Sequence, residues 1–271
     1  MQLSGQILKA RNLGQTIERP SSRGELREIT EGYEVYREVD ALLRQSGYTR
    51  VGRKIGFSNK ATWNEFGLDS PIWAYVYDRT VAFAPLDKTA LPDVSVGQLV
   101  APRLEPEIVL RVNERIESVG WESQALVDAI EWVAIGFEIV DCHFEDWQFS
   151  AAEIVADLGA HAKLVVGNPS IVVDEARQLL APGLQETTVK LLEGNQVIQE
   201  GVGKNVLGGP VEALGFLMRT LAEQEEAEPL GAGEIITTGT LTPFPYIHPG
   251  QRWTVIVDGL ALSSLAIRVC D

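Results

Sequence analysis

What most restricts this chain is the order in which its β-rich runs and helical stretches follow one another. From residue 51 onward, short runs rich in β-branched and aromatic residues occur at 51–57, 72–77, 80–84, 98–101 and 108–112. Later come 163–166, two hairpins and 234–238. The first hairpin is expected to turn at Gly194-Asn195, between 189–192 and 197–198, and the second at Asp258-Gly259, between 253–257 and 260–269. Helical patterns interrupt at 123–132, 149–158 and 211–225. Strands and helices do not alternate one for one. That order argues against a doubly wound parallel sheet and for an α+β fold, a mixed β-roll or barrel. Residues 1–50 read as a helical lead-in. Over 30–46, Val35, Tyr36, Val39, Leu42 and Leu43 form an apolar stripe, with Thr30 as the expected N-cap and Gly47 as the stop. Pro20, Ser21 and Ser22 mark a turn after a first short helix.

Charge narrows the function. Lys and Arg number 23 against 38 Asp and Glu, a net charge of −15, so the summed field repels nucleic-acid backbones and anionic membranes. The apolar stretch 129–140 is broken by Glu131 and Glu138 and falls short of the roughly 20 residues of a membrane span. Lys9 and Arg11 sit in polar sequence with no apolar segment of the signal-peptide kind. Cys142 and Cys270 do not make a disulfide framework, and 271 residues can bury a core without one. The expectation is a reduced, cytoplasmic protein that binds neither nucleic acid nor membrane.

Three segments can carry chemistry. In Arg103-Leu104-Glu105-Pro106-Glu107-Ile108 the two carboxylates are two apart, so on a strand they share one face. Such a pair repels unless a cation lies between. Glu138 lies among apolar neighbours in Gly136-Phe137-Glu138-Ile139-Val140, and a buried carboxylate needs a partner. Three carboxylates without Cys or His are hard-oxygen ligands suited to Mg²⁺ or Mn²⁺. The alternative is an edge strand showing Glu105 and Glu107 to solvent, with Glu138 paired to an arginine. In Gly52-Arg53-Lys54-Ile55-Gly56-Phe57, Lys54 can bind a carboxylate or move a proton, or it can snorkel from a half-exposed strand. In Gly233-Glu234-Ile235-Ile236-Thr237-Thr238-Gly239-Thr240 a strand runs into a Gly/Thr turn that can hold a carboxylate or simply end a strand. His143, His161 and His248 lack metal-ligand spacing, and only His143, five residues after Glu138, lies near these segments in sequence.

Taken in order, Gly52 to Gly56, Glu105-Pro106-Glu107-Ile108, Gly136 to Val140, Val155-Ala156-Asp157 and Gly233 to Gly239 resemble the fumarylacetoacetate hydrolase superfamily. The branch they resemble is that of 2-keto-4-pentenoate hydratases and 4-oxalocrotonate decarboxylases. The resemblance implies a β-roll of that family's C-terminal-domain type over 81–271, with 1–80 a smaller helical and β region. It implies metal ligation of Mg²⁺ or Mn²⁺ by Glu105, Glu107 and Glu138, catalytic roles for Lys54, Asp78 and Asp157, and substrate binding by Thr238, Gly239 and Thr240; His143, from its place five residues after Glu138, is expected to be at most an accessory to proton transfer. It also implies a homo-oligomer. The implied activity is that of a metal-dependent hydro-lyase acting on a 2-hydroxydienoate or 2-oxo acid through a metal-stabilised enolate. The alternatives are decarboxylation of a 4-oxalocrotonate-type diacid, or a non-catalytic partner subunit. Two departures bear on the choice: Ala156-Asp157-Leu158 stands where many hydratases read Ala-Asp-Asn, and Tyr77-Asp78-Arg79 where they read Ala-Asp-Met. No histidine precedes His143, which disfavours the superfamily's His-Glu hydrolysis.

Overall fold

Glu28, not Thr30, begins the long N-terminal helix in the computed structural model, which describes residues 2–86, 91–117 and 123–271. The Glu31 carboxylate accepts from the amides of Arg27 and Glu28 and so caps the helix one turn before its apolar stripe. The helices are α1 (Leu3–Leu13), α2 (Ile29–Gln45), α3 (Trp63–Phe66), α4 (Ser123–Asp128), α5 (Ala151–Ala156), α6 (Arg177–Glu186) and α7 (Pro210–Ala222). The strands are β1 (Arg50–Gly56), β2 (Ile72–Tyr77), β3 (Val81–Phe83), β4 (Asp93–Ser95), β5 (Arg103–Val112), β6 (Ile130–Val140) and β7 (His161–Val166). They continue with β8 (Ser170–Ile171), β9 (Thr188–Glu193), β10 (Gln196–Val202), β11 (Ile235–Thr240), β12 (Arg252–Asp258) and β13 (Leu265–Cys270).

Two sheets form, confirming the mixed architecture. One runs β2-β1-β11-β5-β6-β7-β3 with β8 beside β6, and the other β10-β9-β12-β13-β4. In the first, β2 and β3 occupy opposite edges although only Asp78–Thr80 separate them in sequence. A three-residue link spans about 10 Å, so the sheet has to curl until its edges meet. At that seam Thr80 Oγ1 lies 2.8 Å from Nε2 of His161 on β7. Trp73 and Tyr75 of β2 face α2, where the hydroxyls of Tyr33 and Tyr36 accept from the amides of Trp73 (3.1 Å) and Tyr75 (2.7 Å). The helix thus satisfies edge amides that would otherwise be open to pairing. By alternation Ala74 and Val76 face the inside of the curl. There Val76, Val109, Ala134, Leu164, Val166 and Ile235 form a small apolar cluster with Trp132.

Several sequence expectations are corrected here. The helix expected over 123–132 ends at Asp128, because Ile130 to Trp132 enter β6 and pair with β5. Helix α6 contains Pro182 and Gly183, and these breakers hid it. The hairpin at Gly194-Asn195 forms, with Gln196 opposite Glu193. Asp258-Gly259 instead opens a longer loop, because Val255 pairs with Leu265. The division expected at residue 80 does not separate structural units, since β1 and β2 lie in the same sheet as β5, β6 and β7.

Gly52 of β1 faces Ile235 of the parallel strand β11 so closely that a Cβ would run into the Ile235 carbonyl oxygen. Gly52→Ala is therefore expected to destabilise the protein by about 1–3 kcal/mol through forced strand separation. Denaturant unfolding reads this as a lower midpoint, and an unchanged midpoint would contradict the close approach.

Candidate metal and substrate site

The interior face of the roll becomes charged one turn of the pleat beyond its apolar cluster. On β5, Glu105, Glu107 and Val109 alternate onto the same face, and the register sets Glu105 directly opposite Glu138 of β6 and Glu107 opposite Gly136. One oxygen from each of Glu105, Glu107 and Glu138 lies within 4.8 Å of the others. Lys54 enters from β1, with its Nζ 3.1 Å from Glu138 Oε1. His161 Nδ1 contacts the same oxygen at 2.7 Å. The Gly239 amide donates to Glu107 Oε2 at 2.8 Å. Gly239 is required at this bend: its φ is +109°, and a Cβ would collide with the Ser58 side chain.

One ammonium stands against three carboxylates, and the electrostatics are correspondingly strained. Burial pushes Glu105 up to about 7, with Lys54 pulling it down and Glu138 pushing it further up. Glu107 is driven well above the carboxylate range by burial and by its two acidic neighbours. Glu138 is also penalised by burial, but Lys54 and His161 outweigh this and hold it at about 2. Lys54 remains charged: burial lowers its pKa, and the three carboxylates more than restore it. Burial lowers His161, which leaves a neutral ring beside Glu138. Glu107 Oε1 and Glu138 Oε2 are buried with no hydrogen-bond partner. Two orphaned carboxylate oxygens in a clustered, hard-donor set fit a divalent cation.

Lys54 and Glu105 lie at the inner end of a cavity of about 730 Å³. Its walls include Phe57, Phe66, Trp147, Phe149 and Phe244. Of the Gly/Thr turn only Thr240 reaches this cavity. Thr238 is buried and donates to the Ile108 carbonyl, so it ties β11 to β5 rather than facing a ligand, and Gly239 serves through its amide. Asp78 is exposed at the end of β2, accepting from the amides of Thr49 and Arg79, and takes no part in the cavity wall. Asp157 and His143 are buried together behind the wall. Asp157 Oδ2 is 2.9 Å from His143 Nδ1, Arg11 Nη1 is 2.9 Å from Asp157 Oδ1, and His143 Nε2 is 3.4 Å from Asp141. His161 was missed by the spacing argument because a single histidine at a strand start carries no motif; only the register of β6 with β7 brings it to Glu138.

A curled mixed sheet with a largely buried three-carboxylate cluster on its inner face, beside an aromatic-walled cavity, defines a β-roll class with a candidate metal site. The chain belongs to the fumarylacetoacetate hydrolase C-terminal family, whose description it matches over residues 44–269. It is 27% identical over 237 residues to a 2-hydroxyhexa-2,4-dienoate hydratase of Comamonas testosteroni, covering 88% of this chain and 85% of that one. It is 25% identical over 235 residues to a 4-oxalocrotonate decarboxylase of Pseudomonas putida, covering 86% and 83%. The fold superposes on 4-oxalocrotonate decarboxylase from Pseudomonas putida G7, solved with magnesium and adipate, with a TM-score of 0.87, 24% identity, and 98% and 95% of the two chains covered.

If the three carboxylates hold a divalent ion, removing one ligand and one charge has to weaken it. Glu107→Gln is expected to lower Mg²⁺ affinity by about tenfold or more in calorimetry. Because the ion binds the deprotonated cluster, Mg²⁺ affinity of the unaltered protein should fall as pH drops below about 7, the value to which burial raises Glu105. A flat affinity between pH 8 and pH 6 would contradict that assignment.

Proposed function

We propose that the protein is a divalent-metal-dependent hydro-lyase that adds water to a 2-hydroxydienoate, giving a 4-hydroxy-2-oxo acid. The observation that carries this reading is the pair of orphaned oxygens on Glu107 and Glu138, set beside a charged lysine at the closed end of an aromatic cavity. The residues that would hold Mg²⁺ or Mn²⁺ are Glu105, Glu107 and Glu138. When bound, such an ion polarises the 2-oxygen of the acid and stabilises negative charge that develops there.

The chain's own residues supply the rest. Lys54 keeps its proton because three carboxylates surround it, so it is a proton donor rather than a base in the resting protein. We assign it delivery of a proton to the dienol carbon chain, or the hold on the substrate carboxylate that aligns this step. His161 and Lys54 both bind Glu138 Oε1, which leaves Oε2 free to face the cation. The names borne by the relatives support a second reading, loss of CO₂ from a 4-oxalocrotonate-type diacid, through the same cluster and lysine.

We further propose a homo-oligomer located in the cytoplasm. Among the described residues no helix is long and apolar enough to cross a membrane. Phe83 and Ile171, both exposed, flank Trp132 and leave an apolar patch at the sheet edge that supports self-association. Light scattering is expected to give a mass above that of one chain.

The activity test is the Mg²⁺-dependent loss of ultraviolet absorbance of 2-hydroxypenta-2,4-dienoate, with a product heavier by one water in mass spectrometry. Lys54→Met should cut turnover by about 10²-fold or more. Bleaching with release of CO₂ from the diacid instead would move the protein to the decarboxylase reading, and no bleaching of either substrate would refute both.

A further inference from the structure

The substrate's far end is specified by what the cavity wall lacks. Lys54 is the sole lysine, arginine or histidine among the described lining residues, and it is held at the inner end by Glu138. Phe57, Phe66, Ile72, Phe149, Ile154 and Phe244 form the wall's apolar part, and Ser58, Asn59, Thr62, Asn205, Thr240 and Thr242 add neutral polar groups but no positive charge. Phe57 and Phe66 meet with centroids 4.7 Å apart, and Phe66 stacks on Phe149 at 5.5 Å, so these rings form a continuous apolar surface. Arg103, two residues before Glu105 on β5, is not among the lining residues but packs on two of the rings that are. Its guanidinium sits over the rings of Tyr246 (4.2 Å), Trp147 (4.6 Å) and Phe244 (5.0 Å) and donates to the Tyr246 hydroxyl at 2.7 Å. The cavity, about 730 Å³, is within the roughly 300–1,000 Å³ range of sites that enclose sizeable small molecules.

We propose that this site selects a monocarboxylic acid whose distal end is an apolar chain or ring, and that it rejects dicarboxylates of the same length. The inference rests on the reading of the inner end as a metal-dependent 2-oxo acid site. With the C1 carboxylate and 2-oxygen at the inner end, the tail runs along the ring surface. An apolar tail gains from burial there, at up to about fourfold in affinity per methylene. A distal carboxylate would instead lose water to a wall that offers rings and neutral hydroxyls and amides but no counter-charge, and a buried charge without a counter-charge is strongly disfavoured. The same feature weighs against the diacid-decarboxylase alternative, because that reaction requires the second carboxylate to be accommodated.

The test uses unreactive acids on the Mg²⁺-loaded full chain, read by calorimetry rather than by turnover. 2-Oxohexanoate and 2-oxoadipate have the same six-carbon chain and differ in a terminal methyl or carboxylate. The expected result is that 2-oxohexanoate binds at least about tenfold more tightly than 2-oxoadipate, and that 2-oxooctanoate binds more tightly still. Equal or tighter binding of 2-oxoadipate overturns the proposal while leaving the 2-oxo acid reading intact. Binding of none of the three in the presence of Mg²⁺ overturns both. Arg103→Gln is expected to leave the two six-carbon affinities within about twofold of the unaltered protein. A selective loss of 2-oxoadipate binding in that variant would show the guanidinium reading a distal carboxylate, and would also overturn the proposal.

Discussion

The three-residue link between β2 and β3 is the constraint on which the rest of the structure depends. Without it the strands of the first sheet could lie open, and the inward side chains of β1, β5 and β6 would diverge with the sheet's twist. With it, the two edges are brought together and the sheet acquires an inside. The helices take the outer face, and α2 covers β2 through the hydroxyls of Tyr33 and Tyr36. The inner face is too narrow for another element and is filled by side chains: an apolar set around Val109 and Leu164 at one end, and the carboxylates with Lys54 at the other.

Placing three carboxylates in that interior is unfavourable unless charge is balanced. Burying one anion without a partner costs several kcal/mol, and here one lysine faces three acids. The protein divides the problem unevenly. Lys54 and His161 both serve Glu138, which stays ionised far below neutrality. Glu107 receives a single backbone amide and Glu105 only the pull of nearby cations, so burial and the neighbouring acids drive both upward. This arrangement leaves an electrostatic strain that a divalent cation held by the three carboxylates would relieve.

Much of the site was legible in the sequence because its information is local. Glu105 and Glu107 two residues apart on a strand specify a shared face, and apolar neighbours around Glu138 specify burial. That Glu138 joins the other two depends on the β5–β6 register, which sets it opposite Glu105; the family resemblance implied the grouping, and spacing alone could not. What failed were claims that depend on three-dimensional closure. Asp78 follows a strand that borders the site, yet the chain leaves the sheet there and the side chain caps a surface turn. His161 carries no motif but is brought to Glu138 by pairing with β6. The boundary at residue 80 follows the change from helix to strand in composition, whereas the sheet is assembled across it.

The buried network behind the cavity explains how residues that touch no ligand can still shape the site. Leu158, Gly159 and Ala160 have φ values of 58°, 61° and 62°, a left-handed turn in which two of the three residues carry a Cβ. Such a backbone costs about 1–2 kcal/mol per non-glycine residue and persists only where its surroundings hold it. Asp157 holds one end, fixed by Arg11 and His143, and its carboxyl is kept below the usual range because these partners outweigh burial. The Asp157 carbonyl accepts from the Ala160 amide, and the Ala160 carbonyl accepts from Asp141. The turn so braced presents Gly159 to the stem of Lys54, leaving room for a Cβ only at a tight 3.4 Å from its Cδ. Arg11, which also donates to the His161 carbonyl, comes from α1, some 146 residues earlier in the chain than Asp157. The N-terminal helix is therefore part of the frame that aims the lysine at Glu138, and the helical lead-in and the catalytic roll act as one structural unit.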